Sequence, residues 1–94
     1  MPRRILDQIQ AAIRNAEYDM TVHAVEEMAE DDLIFADIET AIANGRVRRK
    51  YKRDPRGTRY EVVGTTIDDR EVAVICRIKS TGKLLLITTY SDEG

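Results

Sequence analysis

The run Glu71–Tyr90, EVAVICRIKSTGKLLLITTY, limits the possible folds more than any other stretch of the chain. It reads as two β-rich segments joined at Thr81-Gly82, a glycine-containing turn of the kind that closes a hairpin. Val72, Val74, Cys76 and Ile78 alternate with Ala73, Ile75, Arg77 and Lys79, so the first segment is apolar on both sides for most of its length. Such a strand sits inside a sheet with material against each face. With a two-residue loop, Arg77 opposes Leu86, Ile75 opposes Thr88 and Ala73 opposes Tyr90. Arg77, Thr88 and Tyr90 then share one face, while Cys76, Ile78, Leu85 and Ile87 share the other. A cation, a hydroxyl and a phenol on one side of a rigid hairpin is the first pointer to chemistry.

The N-terminal half has a different period. From Arg3 to about Glu17, Ile5, Ile9, Ala12, Ile13 and Ala16 recur at helical spacing, with Pro2 near the first turn. Tyr18-Asp19-Met20 reads as a connector, and Thr21 as an N-cap for a second helix, Val22 to about Glu30, with Val22, Val25, Met28 and Ala29 inward. A third helix spans roughly Phe35–Asn44, with Ile34, Ile38, Ala41 and Ile42 on one stripe and Asn44-Gly45 as its stop. Arg46–Lys52 is strand-like: its even positions are cationic, with Val47 and Tyr51 pointing the other way. Asp54-Pro55-Arg56-Gly57 is a type I turn signal, and Thr58–Thr65 is the returning strand. The expectation is a single α+β domain, residues 1–94, with N-terminal helices packed on a four-stranded antiparallel sheet.

No apolar run approaches the ~20 residues of a membrane span, and MPRRILDQ carries an aspartate where a signal peptide needs an apolar stretch, so a cytoplasmic protein with no membrane partner is expected. Cys76, the single cysteine, reads as a buried, inert thiol. One histidine and one cysteine exclude a His/Cys zinc site, the acidic helix residues lack a ligand loop, and neither a metal nor another cofactor is expected.

The net charge of −2 conceals a partition. Met1–Gly45 carries three arginines against ten carboxylates, 3 − 10 = −7; Arg46–Arg59 carries eight cations against Asp54, 8 − 1 = +7; Tyr60–Gly94 carries four against six, −2. The basic segment is the candidate RNA-binding element, with Arg48, Lys50, Lys52 and Arg59 for phosphates and Tyr51 as a stacking surface. The same charge also suits an edge strand protected against strand addition, or docking of an acidic partner. His23 lies in the first turn of the second helix, where the helix N-terminus opposes its protonation and Glu26 and Glu27 favour it. It reads as a surface ring, or as an acid/base group if a reacting oxygen lies within reach.

Thr21-Val22-His23-Ala24-Val25-Glu26-Glu27-Met28-Ala29-Glu30, Asn44-Gly45, Arg59-Tyr60 and Ile87-Thr88-Thr89-Tyr90, in that order, resemble domain-of-unknown-function family 4258 (DUF4258), which is similar to the RelE-type toxin ribonucleases. The resemblance implies a RelE/barnase-like small nuclease fold and metal-independent endoribonuclease activity on mRNA, with or without the ribosome. It also implies an antitoxin partner, in some relatives of zinc-finger type. By position, His23, Thr88 and Tyr90 match the family's helix histidine and terminal Thr-x-Tyr, while Arg77 and Arg59 join them from strand geometry. His23 or Tyr90 would be acid/base, Arg77 and Arg59 phosphate stabilisers, and Thr88 an orienting hydroxyl. Where this chain has Glu27 and Asp31, the family often carries arginine. The other readings are a non-catalytic RNA- or ribosome-binding module and a protein-interaction domain using the basic hairpin.

If about four cations neutralise phosphates of single-stranded RNA, log K falls against log salt with a slope near −3. Lys50→Glu/Lys52→Glu should weaken that binding without altering the folding transition, both read by salt-titrated binding and thermal melts.

Overall fold

The computed structural model describes residues 4–91, so the expected start of the first helix at Pro2 and Arg3 lies outside the described residues. In chain order the elements are α1 (Ile5–Arg14), β1 (Tyr18–Met20), α2 (Val22–Glu30), α3 (Phe35–Ala43), β2 (Arg46–Tyr51), β3 (Arg59–Thr65), β4 (Glu71–Ile78) and β5 (Leu84–Ser91). The fold is α+β, but its sheet is five-stranded and mixed, in the order β1-β5-β4-β3-β2. The expected connector Tyr18-Asp19-Met20 is a strand, pairing parallel with β5 through Tyr18↔Leu84 and Met20↔Leu86. Three residues carry too little alternation to show a strand, and a parallel partner 66 positions away in sequence leaves no local turn signal.

The helices pack on one face. Ile9 and Ile13 of α1, Ile38 and Ile42 of α3, and Met28 of α2 close over Val62, Val72, Val74, Cys76, Leu84 and Leu86. The hairpin that organises the sequence differs from expectation at its turn. Lys79 N–H donates to Lys83 O at 2.8 Å and Gly82 N–H to Lys79 O at 2.9 Å, so the loop has three residues, with Gly82 at φ +91°. Arg77 therefore opposes Leu85, not Leu86. A register shift then restores Ile75↔Thr88 and Ala73↔Tyr90. This bulge reconciles two demands, because Leu84 and Leu86 reach the core and Thr88 and Tyr90 still emerge on the other face. Leu85 and Ile87, expected to share a face with Cys76 and Ile78, are replaced there by Leu84 and Leu86, both fully buried.

Two helix stripes are also corrected. Thr21 does cap α2, accepting from Ala24 N–H at 3.0 Å, but Val22 and Val25 are 74% and 49% exposed. Only Ala24 and Met28 of α2 are buried, because the helix lies along β5. Ile34 is the α3 N-cap position and is exposed. Its N–H is met by the Asp37 carboxylate at 3.0 Å, half of a capping box.

Asn44-Gly45 does more than stop α3. The Asn44 amide donates to Thr40 O at 2.7 Å and Thr65 O at 2.8 Å and accepts from Thr65 N–H at 2.9 Å, so one side chain pairs β3 as a strand would. Beside it the Ala41 carbonyl approaches β3 so closely that a Cβ on Gly64 would lie 1.8 Å from that oxygen. Gly64→Ala must separate α3 from β3 and should cost ~3 kcal/mol or more, a large share of a marginal domain's stability. Gly82→Ala meets no atom and strains only its positive φ, for about 1 kcal/mol. Chemical denaturation of both variants checks the ranking, and a Gly64→Ala loss no larger than that of Gly82→Ala would contradict the packing.

Candidate nucleic-acid interface and active site

The face of the sheet turned away from the helices carries the candidate residues, and strand pairing fixes which of them are neighbours. Arg49, Glu61, Ile75 and Thr88 form one row across β2, β3, β4 and β5; Arg46, Val63, Ala73 and Tyr90 form the next. On the other side Tyr51 opposes Arg59 and Arg77 opposes Leu85, with Arg59 and Arg77 each next in sequence to the Tyr60↔Cys76 pair and on the same face. Arg77, Thr88 and Tyr90 thus share a face, as the sequence indicates, and Arg59 and Tyr51 lie on it too.

At its centre is a residue that the sequence reading passed over. Glu61 is 3% exposed, on the face that no helix covers. The Arg48 guanidinium pairs with its Oε1, with Nε at 2.5 Å, and the hydroxyls of Tyr51 and Tyr90 reach its Oε2 at 3.2 and 3.3 Å. A buried carboxylate persists only with such compensation. Its one sequence signal is that it is the sole acidic position among the β-formers of Arg59–Thr65. A register shift between Val47 and Arg49 brings Arg48 here. The same shift breaks the expected alternation: Lys50 opposes Tyr60, a residue packed against the core, while Tyr51 turns to the open face. Arg48, Lys50 and Lys52 therefore do not form one cationic side.

The cations differ in how far they are already engaged. Arg59 lies over the Tyr51 ring at 5.3 Å, and its Nε is 3.0 Å from the Asp54 carboxylate, close enough for an ion pair but misaligned for a hydrogen bond. Arg77 is half-buried, with its aliphatic stem under Gly57, and has no ion-pair or hydrogen-bond partner among the described residues. Lys50 and Lys52 likewise have none. Cys76 faces the core, where burial pushes its thiol up to about 12.

His23 stands at the rim. Thr21 N–H donates to Leu86 O at 3.0 Å and its hydroxyl to Ile87 O at 2.8 Å, pinning the start of α2 where β1 ends. From there α2 replaces β1 as the neighbour of β5. Glu27 accepts from Thr89 N–H at 3.3 Å, Asp31 accepts from Ser91 N–H at 2.9 Å, and the Thr89 hydroxyl donates to Ala24 O at 2.9 Å. His23 Nε2 is 3.3 Å from that same Glu27 oxygen. One carboxylate thus joins the imidazole to the backbone between Thr88 and Tyr90.

Residues 20–91 match the family described as Domain of unknown function (DUF4258). The chain belongs to DUF4258. The match runs from the end of β1 through β5, so every residue of the open face lies in the DUF4258 domain while α1 lies outside it. No curated protein and no solved structure matches the chain. In this DUF4258 domain Glu27 and Asp31 satisfy the free edge of β5, which accounts for acidic residues on α2. Among the described residues, no three of His, Cys, Asp and Glu are placed to share a metal ion.

Glu61→Ala would leave Arg48 and two phenols without their acceptor. The expected loss is about 2–3 kcal/mol, below that of a fully buried pair because the Arg48 side chain is 33% exposed. Urea denaturation checks this, and a change under 0.5 kcal/mol would show that the cluster carries no such weight.

Proposed function

We propose that the protein is a metal-independent endoribonuclease with a RelE/barnase-like nuclease fold, acting on mRNA as the toxin of a cytoplasmic toxin–antitoxin pair. The observation that carries the reading is the meeting on one helix-free face of a half-buried Arg77, without an ion-pair partner among the described residues, with Thr88 and a Tyr90 fixed by Glu61. The cations of that face are Arg46, Arg48, Arg49, Arg59 and Arg77, all arginines, whose planar forks suit phosphate oxygens.

In the proposed reaction the ribose 2′-oxygen attacks the adjacent phosphorus. The new O–P bond forms, the bond to the 5′-oxygen breaks, and a cyclic phosphate and a free 5′-hydroxyl result. His23 takes the proton from the 2′-hydroxyl, and the Tyr90 phenol turns its one hydrogen from Glu61 to the leaving oxygen and gives it up there. Arg77 stabilises the charge that develops on the phosphoryl oxygens, and Thr88 orients them. Glu61 is a positioning residue, holding the phenol through its hydroxyl. Arg48, Tyr51 and Arg59 extend that surface for RNA and Lys52 continues it at the hairpin end, while Lys50 lies on the helical side of β2; Arg48 and Arg59 hold the protein groups that face the substrate. Val22, Val25, Ile34 and Phe35 are exposed and offer apolar surface to an antitoxin, of zinc-finger or other type.

Purified protein should cut single-stranded RNA in excess chelator. His23→Ala and Tyr90→Phe should each lower the rate by ~10²-fold or more while folding as the wild type does. Growth arrest on expression in bacteria should disappear in the double variant. Chelator-sensitive cleavage, or full activity in both variants, would refute the reading.

A further inference from the structure

We propose that the tip of the β2–β3 hairpin is a second nucleotide subsite, so that the protein grips at least two adjacent nucleotides of a single strand; this rests on the open face being an RNA site. The tip carries an open hollow of about 790 Å³, a volume suited to a nucleotide, with Tyr51, Lys52, Arg53, Pro55 and Arg56 in its wall. Its charge is not neutralised from within. Asp54, the carboxylate of the loop, is already committed to Arg59 at 3.0 Å and to the Arg56 N–H at 2.8 Å. Lys52, Arg53 and Arg56 have no ion-pair partner among the described residues.

Two contacts make this hollow continuous with the Glu61 cluster. Tyr51 belongs to both, its side chain in the wall and its hydroxyl 3.2 Å from Glu61 Oε2. The tip also lies against Arg77, since a Cβ on Gly57 would be 3.5 Å from Arg77 Cδ. A phosphate held by Arg77 is therefore one nucleotide step from the hairpin. A base there meets Tyr51 and Pro55, while the next phosphate meets Lys52, Arg53 and Arg56. Stacking on an aromatic ring beside exposed cations favours single strands over duplexes and reads no particular base.

The test uses 2′-deoxy oligonucleotides of two, three and four residues, which bind but lack the attacking hydroxyl, followed by fluorescence anisotropy. Lengthening from two to three residues should raise affinity roughly fivefold or more and steepen the log K–log salt slope by about 0.7 per added phosphate. In Lys52→Ala/Arg56→Ala the gain should fall below twofold, with an unchanged melting curve. Equal affinity at all lengths, an unaltered gain in the variant, or equally tight binding of an oligo-glutamate peptide of matched charge would overturn the inference. Length-dependent binding by a wild type that cuts no RNA would overturn the nuclease reading alone.

Discussion

A carboxylate buried on a sheet face without a helix over it must find its donors on that same face, and Glu61 sets the arrangement of everything around it. It takes Arg48 from one neighbouring strand, Tyr51 from the end of that strand and Tyr90 from two strands away. Each donor arrives through an irregularity in the sheet. The shift in β2 turns Arg48 toward Glu61, and the shift in β5 lets Leu84 and Leu86 serve the core while Tyr90 faces outward. With unbroken alternation, Leu84, Leu86, Thr88 and Tyr90 would all point to one side. The bulges are thus what permit one sheet to have an apolar side and a chemical side.

The same division organises the charge. The acidic N-terminal half forms most of the helical layer, and Arg46, Arg48, Arg49, Arg59 and Arg77 occupy the opposite side of the sheet. Two carboxylates of α2 act at the seam: Glu27 and Asp31, one helical turn apart, take the backbone N–H groups of Thr89 and Ser91 that β1 is too short to reach. Edge strands left open invite pairing with other chains, and a helix offering carboxylates closes this one. The contact also places His23 beside the strand that carries Thr88 and Tyr90, through a shared Glu27 oxygen.

Local signals foretold much of this. The Thr21 cap, the Asp54–Gly57 turn, the spans of α2 and α3 and the common face of Arg77, Thr88 and Tyr90 each follow from a short motif or from period-two alternation. What escaped depends on distant partners. β1 is a strand only because β5 accepts it, Val22 and Val25 are exposed only because α2 runs along β5, and the bulges at Arg48 and Ile87 leave no mark on composition. Glu61 was illegible for the same reason. An acidic residue in a strand reads as solvent-facing until its three donors are placed around it.

The central claim is that the helix-free face around Glu61 is where RNA binds. The most direct measurement is titration of a tetranucleotide 2′-deoxy analogue into isotope-labelled protein, followed by backbone amide and arginine side-chain NMR shifts. The account predicts changes at Tyr51, Arg59, Arg77, Thr88 and Tyr90, with α1 and α3 unaffected. Changes confined to the helical layer, or no saturable change on the arginine face, would contradict it.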